Sequence, residues 1–202
     1  MNDLAALCER VSADIDDVVR GLGSDARIGS SFLAPGPGWG GSCFPKDTRA
    51  LVSVASDFGV DLPLIDASLE SNEASFSRVV ETLRELCGGA LEGKVIAVWG
   101  LAFKSGTDDV RDSPAVNIVK RLIDRGAQVQ AFDPVAKAPN MPGLVQLPTA
   151  LQAAAGADAL AVLTEWPEFA DVSPQEVASL MNSPVAFDGR RILPQTLSLI
   201  HI

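Results

Sequence analysis

The chain carries a single histidine, His201, and it falls within the last six residues. A cysteine hydrolase built on a Cys–His pair therefore finds no base in the body of the sequence. Cysteine is scarce as well. Cys8, Cys43 and Cys87 are widely separated, odd in number and form no CxxC spacing. That inventory excludes a structural zinc site and a disulfide framework, and it fits a reducing, cytoplasmic setting. No apolar run approaches the roughly 20 residues of a membrane-spanning helix, and no secretory signal opens the chain. Positive charge is in deficit: 16 Lys and Arg against 26 Asp and Glu leave a net charge of −10. Broad binding to nucleic acid or to an anionic membrane is excluded on that balance. A phosphorylated small molecule is not, because a few local cations suffice to hold one. Internal repeats and low-complexity segments are missing too.

What is present is ordinary soluble-protein material, 202 residues of which 47% are hydrophobic and 21% charged, enough for one large domain or two small ones. Apolar residues at Leu4, Leu7, Cys8, Val11, Ile15 and Val18 predict an amphipathic helix over 3–20, closed by the turn-prone Gly21–Asp25. The first ten residues read as the middle of a helix, with a true start at an Asn2 N-cap as the alternative. A Gly-, Ser- and Pro-rich stretch follows from Arg27 to Cys43. A helix over 45–58 is expected next, with Ala50, Leu51, Val54, Ala55 and Phe58 on its apolar face. A longer helix over 64–86 is a candidate domain connector and dimer surface, or else packs within its own subunit.

After Gly88-Gly89 the pattern changes to short apolar runs alternating with helices. Strands are expected over 94–99, 127–132, 144–147, 159–163 and 185–187, with helices over 113–125, 151–155 and 174–181. Such alternation means a doubly wound, Rossmann-like parallel sheet, so the fold class is α/β, with a helical domain over 1–87 and a sheet domain over 88–196. The final residues 197–202 match what a sequencing-adapter end would encode. They are expected to be an artefactual tail, with a short final strand as the alternative.

The chemistry concentrates in Gly36-Pro37-Gly38-Trp39-Gly40-Gly41-Ser42-Cys43-Phe44-Pro45-Lys46-Asp47. Gly36, Gly38 and Gly41 satisfy GxGxxG, but a helix and a loop precede them where the dinucleotide fingerprint needs a strand. The glycines instead let backbone amides approach a ligand closely. Cys43 sits just before a helix whose first turn holds Pro45, Lys46 and Asp47. The positive helix end and the ammonium favour a thiolate, the form that attacks carbonyl carbon. Asp47, one turn on, is placed to orient or deprotonate a water. The residues alone leave two readings of Cys43 open, an activated nucleophile and a buried structural thiol. Cys8 and Cys87 lie on apolar helical faces and read as structural.

The block Gly36–Asp47 resembles the signature of the UDP-glucose/GDP-mannose dehydrogenase family, and its Gly-Ser-Cys-Phe-Pro-Lys-Asp run is most similar to the UDP-glucose branch. Two further blocks agree, Gly100–Lys104 with Thr107–Pro114, and Phe187–Arg190. The resemblance implies oxidation of a sugar C6 alcohol to the carboxylate, giving UDP-glucuronate, with NAD as cofactor. It makes Cys43 the nucleophile of a thiohemiacetal and then a thioester, and Asp47 an activator of water. Substrate contacts are implied for Phe32, Leu33, Ala34, Pro35, Gly36, Gly40, Lys104 and Arg190, and for Arg27 in a neighbouring subunit. Lys46 and Arg111 are implied to approach NAD. The expected partners are a UDP-sugar and a second copy in a homodimer or higher oligomer, with no metal.

The sequence departs from the family at one point of consequence. The family's first domain binds NAD, and nothing here corresponds to it; the run after the first sheet strand has one glycine. The lysine and asparagine that the family uses in proton transfer lie upstream of the position matching Met1. This polypeptide alone is therefore expected to be inactive. The alternative is a non-catalytic nucleotide-sugar-binding or dimerisation module.

Overall fold

The computed structural model describes residues 1–193 and the backbone of 199–201. Four helices come first: α1 (Asn2–Val11), α2 (Ile15–Gly23), α3 (Phe44–Asp57) and α4 (Pro63–Leu86). The single helix expected over 3–20 is thus two. Ser12 turns into the left-handed region at φ 56° and ends α1, its N–H bonding to the Cys8 carbonyl. Asp14 then starts α2 by accepting from the Asp16 N–H at 2.9 Å. A left-handed C-cap and a fresh N-cap outweigh continuous apolar periodicity. Asn2 does not cap α1 either; Met1 occupies that position.

The remainder alternates strand and helix: β1 (Val95–Trp99), α5 (Pro114–Asp124), β2 (Gln128–Phe132), β3 (Leu144–Gln146), α6 (Ala150–Ala154), β4 (Ala159–Val162), α7 (Pro174–Leu180), β5 (Ala186–Asp188) and β6 (Leu199–His201). All strand pairs are parallel, in the order β3-β2-β1-β4-β5-β6. The order reverses between β1 and β4, and that switch point leaves a crevice at the carboxyl ends of the strands. Of the suspected artefactual tail, Leu199–His201 pair with β5, and 197, 198 and 202 lie outside the described residues.

Strand residues alternate between two cores because the sheet is covered on both faces. Ile96 and Val98 face α5 and the inner stripe of α4, Phe76, Val79, Val80 and Leu83. Ala97 and Trp99 face α6, α7 and the ring of Phe169. Of the two roles open to the apolar stripe of α4, dimer surface or packing within its own subunit, the second is the one seen. On α3 the reverse holds: Leu51, Val54 and Phe58 are all exposed, Phe58 at 81%. Among the described residues no helix is long and apolar enough to cross a membrane.

Candidate active site

The loop joining α2 to α3 lies across the switch-point crevice, and its glycines fix how closely it docks. At Gly38 (φ 148°) a Cβ would collide with the Phe76 ring and sit 2.8 Å from Asn72 Oδ1. At Gly40 it would strike the Asp112 carbonyl and sit 2.7 Å from Pro114 Cδ, at the head of α5. Only hydrogen fits at either place. The Gly41 N–H donates to the Asp112 carbonyl at 3.2 Å, and the Phe103 ring lies 3.0 Å from the Cβ position of Gly41. The Gly36 N–H donates to Asn2 Oδ1 at 3.0 Å, and on its other side stands the Arg190 guanidinium. α1, α4, the head of α5 and the end of β5 thus converge on one loop.

Cys43 ends that loop as the N-cap of α3 and is exposed, which disposes of the buried-thiol reading. Its sulfur lies 3.7 Å from Ser42 Oγ. Lys46 turns its ammonium to Asp47 at 2.6 Å, and both side chains are exposed one turn or less from the sulfur. The bond to Asp47 and its negative charge raise the Lys46 pKa. Arg111 is raised chiefly by its bond to Asp109, and it also feels the sulfur. Two cations therefore lie within electrostatic reach of Cys43, although neither is hydrogen-bonded to it.

Lys104 is brought to this place by the run after β1. It is exposed, with its ammonium 5.4 Å from the centre of the Phe103 ring that abuts Gly41. Asp133, buried at the end of β2, holds that run: Oδ2 accepts from the Leu101 and Ala102 N–H groups at 2.7 and 3.0 Å and from Trp166 Nε1 at 3.1 Å. Its Oδ1 accepts from Val135 and Ala136. In a dinucleotide-binding sheet the acidic residue at this end of β2 binds a ribose hydroxyl. Here both oxygens are spent inside the fold. The head of α5, where a pyrophosphate would sit, opens with Pro114, is capped by Ser113 and is closed by Gly40. The residues of this sheet therefore do not fit an NAD molecule.

Arg190 is mostly buried. Its Nε donates to the Leu163 carbonyl at 2.9 Å and lies 3.1 Å from Glu165 Oε2, and burial pushes its pKa down, with Glu165 opposing. With Phe32, Ala34, Gly36, Trp39 and Asn72 it lines a cavity of about 320 Å³ on the α4 side of the loop. Phe32 projects fully into solvent from a left-handed residue (φ 63°). Pro35 is buried, and Leu33 packs towards Gly23. Arg27 stands apart: it is exposed, and its side chain is held by Asp25 at 2.6 Å rather than by anything in this crevice. Sequence reasoning missed Asn2, Asn72, Asp109, Asp133 and Glu165. Asn72 alone left a signal, as a polar residue on the buried stripe of α4 four residues before Phe76.

Arg111 binds Asp109 through Nε at 2.9 Å and Nη2 at 2.8 Å, and with Ser42 helping holds the carboxyl at about 2 instead of 3.8. A lowered carboxylate pKa contributes stability that is complete above the unfolded value and is lost as pH falls through the folded one. The parent chain is thus expected to lose this contribution between about pH 4 and pH 2, and Asp109→Asn to show no such contribution in that window. Thermal melts at stepped pH read the difference.

Comparison with known proteins covers both halves. The central-domain model of the UDP-glucose/GDP-mannose dehydrogenase family matches residues 1–74, and that family's UDP-binding-domain model matches 97–195. UDP-glucose 6-dehydrogenase of Rickettsia bellii is 42% identical over 198 residues, 96% of this chain and 46% of that protein. The Pseudomonas aeruginosa UDP-glucose 6-dehydrogenase is 41% identical over 95% of this chain and 44% of its own length. The solved UDP-glucose dehydrogenase of Pyrobaculum islandicum superposes with a TM-score of 0.85 at 32% identity, covering 95% of this chain and 43% of that one. The chain thus spans somewhat under half the length of these relatives. Matched along both of its parts by one family's models, it belongs to the UDP-glucose/GDP-mannose dehydrogenase family.

Proposed function

We propose that this chain is the nucleotide-sugar-binding, thiol-bearing part of an NAD-dependent UDP-glucose 6-dehydrogenase. The observation that carries the reading is an exposed thiol at the head of α3, docked at the switch point beside the loops bearing Lys104 and Arg190. The nucleotide sugar lies along Phe32–Gly36 and Gly40, with Lys104 and Arg190 set against its negative charge. Arg27 reaches the substrate of a second copy. That copy covers the exposed Leu51, Val54 and Phe58 face of α3 in a homodimer. We place the helical and sheet domains at 1–87 and 88–196.

Two steps belong to these residues. In the first, the Cys43 thiolate adds to the C6 aldehyde; a carbon–sulfur bond forms and the carbonyl oxygen takes a proton, giving a thiohemiacetal. In the second, water adds to the corresponding thioester while Asp47 takes its proton. The carbon–sulfur bond then breaks, returning the thiolate and releasing the carboxylic acid, which gives its remaining proton to solvent to become the carboxylate of UDP-glucuronate. One oxidation precedes the first of these steps and one lies between the two, and both need a hydride acceptor that the residues of this sheet do not fit. NAD held outside these residues would supply that acceptor, and Lys46 and Arg111 would stand at its edge.

UDP-glucose is expected to bind the purified chain, with GDP-mannose weaker, in calorimetric titration. NAD with UDP-glucose is expected to yield no NADH absorbance, and an NADH signal from this polypeptide would contradict that division of labour. A non-catalytic binding or dimerisation module is the second reading, favoured by the spent Asp133 and the open α3 face. It predicts the same binding with a Cys43 of ordinary reactivity.

A further inference from the structure

We infer that Asn72 is a positioning residue for the Cys43 nucleophile, acting through the backbone and ring of Trp39. The inference rests on the reading of Cys43 given above. Asn72 lies in the middle of α4, on the stripe that otherwise enters the apolar core, and is 7% exposed. A buried amide on such a stripe is costly unless both of its ends are bonded. Both are bonded, and to one residue: Oδ1 accepts from the Trp39 N–H at 2.8 Å, and Nδ2 donates to the Trp39 carbonyl at 2.9 Å. The pairing spans 33 positions of sequence and fixes a peptide four residues before the sulfur.

The constraint continues from backbone to side chain. The Trp39 indole meets the Phe44 ring edge-on, with centroids 4.9 Å apart. Phe44 directly follows Cys43 and opens α3. Rigid α4 is thereby linked to the head of α3 through one amide pair and one aromatic contact. Gly38 completes the clamp, since its missing Cβ is what lets the loop reach Asn72 and Phe76. Across the loop, the Asp112 carbonyl holds Gly41. Asn72 does not bond the sulfur; it sets where the α3 head, and so the thiol with Lys46 beside it, stands relative to Arg111 and its Asp109 partner.

The test is the rate at which iodoacetamide labels each cysteine at pH 7.5, resolved by peptide mass, in the 202-residue chain. Asn72→Leu is expected to slow Cys43 by about tenfold, the effect of two lost hydrogen bonds. Cys87 in the same sample keeps its parental rate, which separates repositioning from global opening. Trp39→Ala cuts the link at its surface end and is expected to slow Cys43 by about fivefold, whereas Trp39→Phe, which keeps a ring against Phe44, stays within about twofold of the parent. A parental Cys43 rate in folded Asn72→Leu overturns the inference. If Asn72→Leu fails to fold, a parental rate in Trp39→Ala overturns it. The underlying reading fails by a different signal: a parent Cys43 that reacts no faster than glutathione removes the nucleophile, and the positioning role with it.

Discussion

Replacing Gly40 with alanine is expected to destabilise the chain by roughly 2–4 kcal/mol, combining overpacking against unyielding atoms with the loss of a docking hydrogen bond. The new methyl would meet the Asp112 carbonyl and Pro114 Cδ, one a backbone atom and the other part of a ring, so neither can swing aside. The loop must lift, and the Gly41 N–H then leaves the Asp112 carbonyl. Urea unfolding reads the change as a lower midpoint at unaltered slope. Gly21→Ala is the control. Its Cβ would meet nothing within 4 Å, and it lies in α2, so alanine there is expected to leave stability equal or slightly higher. Equal stability of the two variants would show that the loop does not dock as described.

Asp133→Ala is expected to cost about 3–5 kcal/mol, in the range of a broken buried network. Five N–H groups lose their acceptor at once: Leu101, Ala102, Val135, Ala136 and the Trp166 indole. Asp133→Asn is expected to lose nearly as much, because one carboxylate oxygen becomes a donor facing donors. The run that carries Phe103 and Lys104 is the part released, so nucleotide-sugar binding should weaken together with stability. A variant that melts like the parent would mean that the run is held by its packing, with the carboxylate incidental.

The sheet half was legible because each of its elements advertises itself locally. Ser113-Pro114 at the start of α5 and Gly126 after it, with Val95–Trp99 as an unbroken apolar run, need no distant partner to be read. The Cys43 loop was legible for another reason: its spacing of glycines, cysteine, lysine and aspartate matches a signature of the family to which the chain belongs. Most of what failed depends on contacts far apart in sequence, the local break at Ser12 being the exception. Ser12 has ordinary helical neighbours, and only the N-cap at Asp14 betrays the break. The apolar face of α3 predicted burial, but periodicity cannot say what covers a face. Asn2, Asn72 and Asp133 act on groups more than 30 positions away, apart from the near pair at Val135 and Ala136. Arg27 and Arg111 were legible as charges, yet each is held by an aspartate two positions earlier.

The most direct measurement is the alkylation of Cys43 in this chain with and without UDP-glucose, rated against glutathione under the same conditions. A thiol readied for attack and placed against the sugar should react at least about tenfold faster than glutathione, and saturating UDP-glucose should slow Cys43 while leaving Cys87 unchanged. A Cys43 that reacts like a free thiol and ignores the nucleotide sugar would contradict the account.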